Sequence, residues 1–486
     1  MITLPNRDAL RSLSPLERFG LDVLVDLSRC AIVEDPAAEV VRVAIADQDP
    51  GVAHLRACIA HDWYIERGDG VVRVPRAILR RLAEIATGAA ERRSTVRDRF
   101  GRVPSTENEL VRQNVAAQPV VAIAAARLRE AVVASAGRRP IAFLTPWPEG
   151  KRWAAAITHD LDVVDLWPVF TALRMAELAR KGELQRIART ALSAFGTIGR
   201  NPVQRALRAL LDAEDQRSIV SSWFVLCGTP TFHTMRAGDL TYRPEGRGAR
   251  AALRALLDHR CEINLHGSFA TSDDHALFAE QRRRLAGLTE QPVPGVRQHF
   301  LRMRPGETIR GMAAAGFRYD TTAGFPDRNG FRLGVGDVIP GWDGAGEKPL
   351  EIQEAPVIWM DRALSKYAGV EDPEAWISEG VTLADACRAT QGLWVGVWHP
   401  NLTPALGFPD APAAFAALLD RLLAQQPFMA PLGSLVEWRV ARRGVRVRGV
   451  LPDGRPDAYG TAPRTDRLML EDSSGARRHS IPATPR

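Results

Sequence analysis

A largely apolar run that ends abruptly in charged residues constrains this chain more than any other stretch. The run occupies residues 153–158 and is followed at once by His159, Asp160 and Asp162. It predicts a strand buried on both faces, and in α/β folds ligands bind at the carboxyl ends of such strands. Because side chains alternate along a strand, Asp160 and Asp162 share one face and His159 takes the other. Two close buried carboxylates repel, so the pattern favours a divalent metal, although capping of the next helix remains an alternative.

Further predicted strands end in ionisable residues in the same way, and predicted helices separate them. The strands fall at 221–227, 261–267, 296–301, 316–322, 351–359 and 392–400, and the intervening helices include 247–259, 274–287, 307–315 and 371–389. This alternation predicts an α/β fold, a (β/α) barrel that is distorted or seven-stranded, with its site in the loops that follow the strands. The candidate site residues are Asp160, Asp162, His266, Arg297, His299, Asp320 and His399.

Pattern and composition divide the 486 residues into three parts. Residues 1–150 are predicted to form a mostly helical accessory region, with residues 1 to about 62 helical and a Ser14 cap before one helix. Residues 151–438 form the barrel, with a helical insertion at about 165–216. Residues 439–486 are rich in arginine, glycine and proline and are predicted to be a basic, largely disordered tail.

Composition excludes several classes of protein. Hydrophobic residues make up 45% of the chain and charged residues 25%, which is typical of a globular protein. The sequence has no basic stripe interleaved with aromatic residues, so a nucleic-acid partner is not expected. No apolar run approaches the length of a membrane span. The amino terminus lacks the pattern of a secretory signal, so we expect a cytoplasmic location with reduced thiols. The scattered cysteines are Cys30, Cys58, Cys227, Cys261 and Cys387.

The ordered motifs resemble those of a known family. They are Thr-His-Asp-Leu-Asp at 158–162, Glu-Ile-Asn-Leu-His at 262–266, Arg297, Tyr-Asp at 319–320 and Val-Trp-His at 397–399. This order resembles the polysaccharide deacetylases with a NodB homology domain, over about 151–438. Thr-His-Asp-x-Asp followed by Arg-Gln-His at 297–299 looks like a divergent subgroup of that superfamily.

The resemblance implies a metal-dependent acyl hydrolase acting on a carbohydrate substrate. Asp162 and His266 would be metal ligands, an oxygen and nitrogen set suited to zinc. Asp160 would be the general base that takes a proton from water, and Arg297 would keep it ionised and oriented.

The same resemblance implies a general acid. His399 would protonate the departing amine or alcohol, with Asp320 holding its protonated form. Acid and base would then lie on opposite sides of the scissile bond.

The chain departs from the family pattern at two points. The family places a second metal histidine four residues after the first, where this chain has Ala270. His299 is the best candidate for the missing ligand, and His159 or Ser268 are alternatives. The first motif is one residue longer than the usual adjacent pair of aspartates, so the roles of Asp160 and Asp162 could be exchanged.

Three functions therefore remain open: a carbohydrate N- or O-deacetylase, a hydrolase of small amides on the same barrel, and a catalytically silent carbohydrate-binding relative. Asp361 follows an apolar run and is a candidate for the pocket lining. Four tryptophans could stack on sugar rings, although core packing is the expected role of most: Trp153, Trp342, Trp359 and Trp398.

Overall fold

The computed structural model describes residues 1–47, 66–68, 70–196, 201–232, 234, 242–450, 456–460, 469–471 and 478–480. Cys58 and the remainder of the predicted tail lie outside these ranges. No helix among the described residues is both long enough and apolar enough to cross a membrane. The described cysteines are all free thiols: Cys30, Cys227, Cys261 and Cys387.

A curved, mainly parallel sheet forms the centre of the molecule. Its strands are β6 (Ala154–Leu161), β7 (Ser222–Leu226), β8 (Glu262–Gly267), β9 (Gly295–Gln298), β10 (Tyr319–Asp320), β11 (Ile339–Asp343), β12 (Lys348–Glu354), β13 (Trp359–Met360), β14 (Leu393–Val397) and β15 (Phe428–Met429). Along the sheet the order is β11-β12-β10-β9-β8-β7-β6-β14-β13, with β15 also paired to β6. Only β11 runs antiparallel to its neighbour within this described sheet.

One chain segment, residues 348–360, brings the two ends of this sheet together. Its first half pairs with β10, and Ala355 N donates to Asp320 O at 2.8 Å. Its second half pairs with β14, and Ile358 N donates to Val395 O at 3.0 Å. The predicted (β/α) barrel is therefore confirmed in its distorted form, and the strand carboxyl ends meet at one rim.

Alternation along β6 separates the barrel interior from the helical layer. Ala154 and Ala156 pack with the interior cluster, whereas Trp153, Ala155 and Ile157 pack with the outer cluster under the helices. The helices of this unit are α7 (Trp167–Arg180), α8 (Leu184–Phe195), α9 (Pro202–Asp215), α10 (Arg247–Asp258), α11 (Ala276–Thr289), α12 (Thr308–Ala314), α13 (Pro373–Ala389), α14 (Ala411–Leu423) and α15 (Leu432–Arg443). The first three correspond to the predicted helical insertion.

The amino-terminal region contains a sheet as well as helices. Its helices are α1 (Arg7–Arg11), α2 (Pro15–Ser28), α3 (Arg76–Ala86), α4 (Ala89–Arg93), α5 (Glu109–Arg112) and α6 (Val120–Ser135). Its strands β1 (Ile2–Thr3), β2 (Val41–Ala46), β3 (Glu66–Gly68) and β4 (Val71–Pro75) form a sheet in the order β1-β2-β4-β3, and β5 (Phe143–Leu144) follows.

Local sequence explains part of this region. Ser14 caps α2 as predicted, and Glu17 completes a capping box with it. The prediction that residues 1 to about 62 are helical is wrong for Val41–Ala46, where alternation of buried and exposed residues marks a strand. The buried cluster of this region also contains Phe325, Leu333 and Trp342 from the barrel, so the two parts share a core.

The boundary at residue 438 and the predicted disorder beyond it are wrong for the described part of the tail. Helix α15 continues to Arg443, and the side chains of Arg439 and Arg442 are buried. Strands β16 (Arg446–Val450) and β17 (Pro456–Tyr459) pair with each other. Strands β18 (Met469–Glu471) and β19 (Arg478–Ser480) pair as well, and β18 also pairs with β5.

Candidate active site

Three predicted metal ligands meet at the rim of the barrel. Asp162 Oδ1, after β6, lies 3.2 Å from His266 Nε2 at the end of β8 and 3.6 Å from His299 Nε2 after β9. All three ligand atoms lie within 4.8 Å of one another. Zinc bonds of about 2.0–2.2 Å in a tetrahedral arrangement separate neighbouring ligand atoms by about 3.3–3.6 Å. These three side chains are thus spaced as ligands of one ion would be.

The donor atoms are also in a suitable chemical state. His266 Nδ1 lies 2.9 Å from the carbonyl oxygen of Arg297, an arrangement that keeps a proton on Nδ1 and leaves Nε2, which faces Asp162, as the atom that would bind an ion. Asp162 Oδ1 is buried and accepts no hydrogen bond from a described residue. Burial alone would raise the pKa of Asp162, but the neighbouring histidines, His299 first, hold it far below its usual range. The carboxylate is therefore ionised and has a free oxygen directed at the two imidazoles.

A tight turn after β9 positions His299. Phe300 and Leu301 adopt left-handed backbone conformations, with φ of 59° and 50°. Side chains other than glycine rarely adopt this conformation, and it persists where surrounding structure enforces it. The turn directs His299 towards Asp162, and its Nε2 lies 3.6 Å from Asp162 Oδ1.

Asp160 is held by Arg297, as the resemblance implied. Arg297 Nη1 donates to Asp160 Oδ1 at 2.6 Å, and Arg297 Nη2 donates to Thr158 Oγ1 at 2.9 Å. The guanidinium lies 4.1 Å from the centre of the Phe224 ring, and it is fully buried. Burial raises the pKa of Asp160, but Arg297 and the nearby histidines lower it overall. The carboxylate is ionised, and its second oxygen faces the pocket.

The distances also separate the roles of the two aspartates. Asp160 Oδ2 lies 3.7 Å from His266 Nε2, whereas Asp162 approaches both His266 and His299 more closely. Asp160 is already paired with Arg297 and is therefore the less suitable metal ligand of the two aspartates. The geometry disfavours an exchange of the base and ligand roles between Asp160 and Asp162.

His399 is held by Asp361 and not by Asp320. His399 Nδ1 lies 2.6 Å from Asp361 Oδ1, and the His399 backbone N–H donates to Asp361 Oδ2 at 2.7 Å. Burial alone would lower the pKa of His399, but Asp361 raises it above its usual value. The predicted pocket-lining residue Asp361 is thus the partner of the imidazole.

The predicted role of Asp320 is wrong because the sheet order keeps it away from His399. Strand β10 lies between β9 and β12, whereas β13, which precedes Asp361, pairs with β14, which precedes His399. Asp320 instead accepts a hydrogen bond from the backbone N–H of Thr322 at 3.0 Å. Burial raises the pKa of Asp320 to about 7.

The proposed acid and base lie close together. His399 Nε2 lies 3.8 Å from Asp160 Oδ2 and 3.6 Å from Asp162 Oδ2. A single oxygen atom can therefore make hydrogen bonds to both Asp160 and His399, and the groups converge on one small volume.

The other proposed participants lie outside the site. His159 points into the helical layer, where its Nε2 lies 2.6 Å from Glu214 Oε1 and its ring stacks on Trp223 at 4.2 Å. The Ser268 hydroxyl accepts a hydrogen bond from Gln281. The four tryptophans considered as sugar platforms are all buried in the core: Trp153, Trp342, Trp359 and Trp398.

A cavity of about 150 Å³ adjoins these groups. Some of the residues that line it were not predicted from the sequence patterns. They come from the amino-terminal region, from the segment after β13 and from the loop after His399: Arg102, Arg362, Lys366, Tyr367 and Asn401. Arg102 donates to the carbonyl oxygens of Phe300 and Pro326, at 3.0 and 3.3 Å, and is paired with Asp98. The accessory region thus supplies part of the pocket wall.

Several solved structures are similar to part of this chain. No protein-family model matches the chain, and no curated protein is significantly similar in sequence. Among solved structures, a Mycobacterium smegmatis protein described as a polysaccharide deacetylase is 21% identical, with 60% of this chain and 91% of that chain covered and a TM-score of 0.40. The PuuE allantoinase is 14% identical, with 61% and 93% covered and a TM-score of 0.39.

A chitin deacetylase from Colletotrichum lindemuthianum is 11% identical, with 62% and 90% covered and a TM-score of 0.32. A Bacillus anthracis protein described as a CE4 family pseudoenzyme also matches, at 10% identity, with 60% and 66% covered and a TM-score of 0.26. All of these matches lie below 25% identity and below a TM-score of 0.5.

Proposed function

We propose that this protein is a metal-dependent hydrolase that removes acetyl or similar acyl groups from a carbohydrate. One observation carries the proposal: the cluster of Asp162, His266 and His299 lies within about 4 Å of a carboxylate paired with arginine and an imidazole paired with aspartate. Burying these charges costs stability.

The residues present fit a divalent ion, and we propose zinc. Two imidazole nitrogens and one ionised carboxylate, Asp162, are a common zinc ligand set with room for water or substrate. When bound, the ion would acidify water and polarise the acyl carbonyl. The bond from His266 Nδ1 to the Arg297 carbonyl would fix that ligand's orientation.

The proton transfers would use two side chains of the chain itself. Asp160, kept ionised by Arg297, would accept a proton from the attacking water. His399, whose protonated form Asp361 stabilises, would donate a proton to the departing nitrogen or oxygen. Both groups reach the same small volume, so the water and the leaving group need little movement between the two transfers.

A hydrolase of small amides is the second candidate. The cavity has a volume of about 150 Å³, and its lining includes Phe300, Pro326 and Tyr367. A cavity of this volume suits a small substrate or the end of a chain better than the middle of a polymer.

The test is acyl release from purified protein. N-acetylated and O-acetylated oligosaccharides and small amides would be assayed side by side, before and after a chelator and again after zinc is restored. We expect acetate release from a sugar, its loss with the chelator and in Asp160→Asn, and its retention in the matched control Asp165→Asn, whose exposed carboxylate lies outside the pocket. Turnover of small amides alone would favour the second candidate, and no turnover with intact metal binding would refute both.

A further inference from the structure

Two positively charged side chains line the candidate pocket on the segment that follows Asp361. Arg362 directly follows the aspartate that holds His399, and Lys366 lies four residues later on the helical turn Ala363–Ala368. Residues four apart on a helical segment share a face, and both of these line the cavity.

Neither cation has a carboxylate partner among the residues that the structure describes, whereas the other charged groups of the wall are paired. Arg102 is paired with Asp98 at 2.7 Å, and Asp160 with Arg297 at 2.6 Å. The Lys366 ammonium instead lies 5.5–5.7 Å from the ring centres of Phe100, Phe300 and Tyr367.

The surroundings make two uncompensated charges here unfavourable. Arg362 is half-buried, and the surrounding protein and the charges of Arg362 and Arg102 lower the pKa of Lys366 to about 8. Asp162 is the pocket carboxylate whose charge acts on both cations, but in the proposed function it would bind the ion and could not neutralise them. Two positive charges in a partly enclosed cavity raise the local concentration of anions. Solvation of an exposed side chain accounts for Lys366 but not for the half-buried Arg362 beside it.

We propose that the substrate is an acylated sugar that carries an anionic group, a carboxylate or a phosphate, which Arg362 and Lys366 bind. This inference rests on the proposed function and specifies its substrate class. The guanidinium offers two parallel donors for an oxyanion, and the lysine adds a movable charge at the mouth. Asn401, whose buried Oδ1 accepts no hydrogen bond from a described residue, lies in the same wall and can accept a hydroxyl or amide proton of the sugar.

The test compares three sugars that share one acetamido group. N-acetylglucosamine is neutral, N-acetylglucosamine 1-phosphate carries a phosphate, and N-acetylmuramic acid carries a carboxylate. Acetate release would give the ratio of kcat/KM between each anionic sugar and the neutral one. Calorimetric titration of the zinc-loaded Asp160→Asn protein would give the corresponding ratio of dissociation constants without turnover.

We expect the wild-type protein to favour at least one anionic sugar on the order of tenfold, the contribution typical of a hydrogen bond to a charged group. Arg362→Gln and Lys366→Gln should reduce that ratio towards one, and Lys366→Arg should preserve most of it. The matched control Arg421→Gln removes an exposed arginine on α14, outside the pocket, and should leave the ratio unchanged. Preference for the phosphate or for the carboxylate sugar would identify the source of the anion.

A ratio near one in the wild-type protein, or one that both glutamine variants leave unchanged, would overturn the inference. Failure of the proposed function looks different: no sugar would be deacetylated, while the binding ratio would still show whether the two cations select an anion.

Discussion

Asp361 contacts His399 through both carboxylate oxygens, one at the ring nitrogen Nδ1 and the other at the backbone N–H, at 2.6 and 2.7 Å. The double contact fixes the ring orientation and the tautomer, so that Nε2 faces the pocket. It also stabilises the charged imidazole, which a general acid needs before it gives up its proton.

The first prediction concerns the pH dependence of acyl release. Asp361 raises the pKa of His399, so Asp361→Asn should lower that pKa. Since the acid is active only when protonated, activity is lost as pH rises through the pKa of His399. The alkaline limb of the pH profile should therefore move to lower pH, and kcat should fall about 100-fold.

Asp320→Asn is the matched control for this experiment. Asp320 is an equally buried carboxyl group at another strand end, and its hydrogen bonds go to Thr322. The alkaline limb should stay in place in this variant. A shift in Asp320→Asn and none in Asp361→Asn would restore the role that the sequence first suggested for Asp320.

The second prediction concerns the third ligand. His299→Ala should weaken zinc binding about 100-fold, because two ligands remain where three converged. Metal content after dialysis and the rise in Tm on adding zinc measure this without substrate. His259→Ala is the control, because His259 is paired with Asp215 on the protein surface, away from the cluster. Full metal content in His299→Ala would contradict the assignment.

Much of the site could be predicted because its signal is local. Asp160, Asp162, His266 and His399 each follow a short apolar run, and a parallel sheet brings the ends of such runs to one rim. The same signal marked Asp361.

Strand order decides which of these side chains contact one another, and strand order cannot be read from a short stretch of sequence. Asp320 and Asp361 look alike in the sequence, but only the strand before Asp361 lies beside the strand before His399. Arg102 had no local signal, since it comes from an irregular segment that reaches the pocket through tertiary packing.

Composition misled the prediction for the carboxyl-terminal part. Arginine-rich sequence suggested a solvated tail, yet Arg443 donates to Asp26 at 2.8 Å and Arg439 to Asp337 at 2.5 Å. Their acidic partners lie more than 100 residues away in the chain, so the composition of the tail alone does not reveal that these charges are neutralised.

The third prediction concerns stability at low pH. Burial alone would raise the pKa of Asp26, but Arg439, Arg443 and Arg442 hold it far below its usual range. A lowered pKa stabilises the fold above the unfolded-state value, and this contribution is lost as the pH falls towards the folded-state value. Asp26→Asn should lower the free energy of unfolding by about 3 kcal/mol at pH 7, because it leaves buried arginines uncompensated.

The difference between wild type and Asp26→Asn should shrink as the pH falls below about 4, where the carboxylate is protonated in the unfolded chain. Chemical denaturation over a pH series measures it. Asp22→Asn, one turn away on α2 and largely exposed, is the control and should change stability little. A constant difference at all pH values would mean that the charge of Asp26 is not what stabilises α15.

The last prediction tests whether the amino-terminal region belongs to the site. Arg102 binds the carbonyl oxygen of Phe300, the residue after His299, and therefore fixes the turn that carries the proposed third ligand. Arg102→Met should lower kcat/KM about tenfold and weaken zinc binding, because the turn loses a charged hydrogen-bond donor. Arg97→Met is the matched control, since Arg97 is exposed and bonds only to carbonyls of its own segment among the described residues. Equal effects of the two substitutions would show that the region acts through general stability, whereas an effect confined to Arg102→Met would show that it shapes the site.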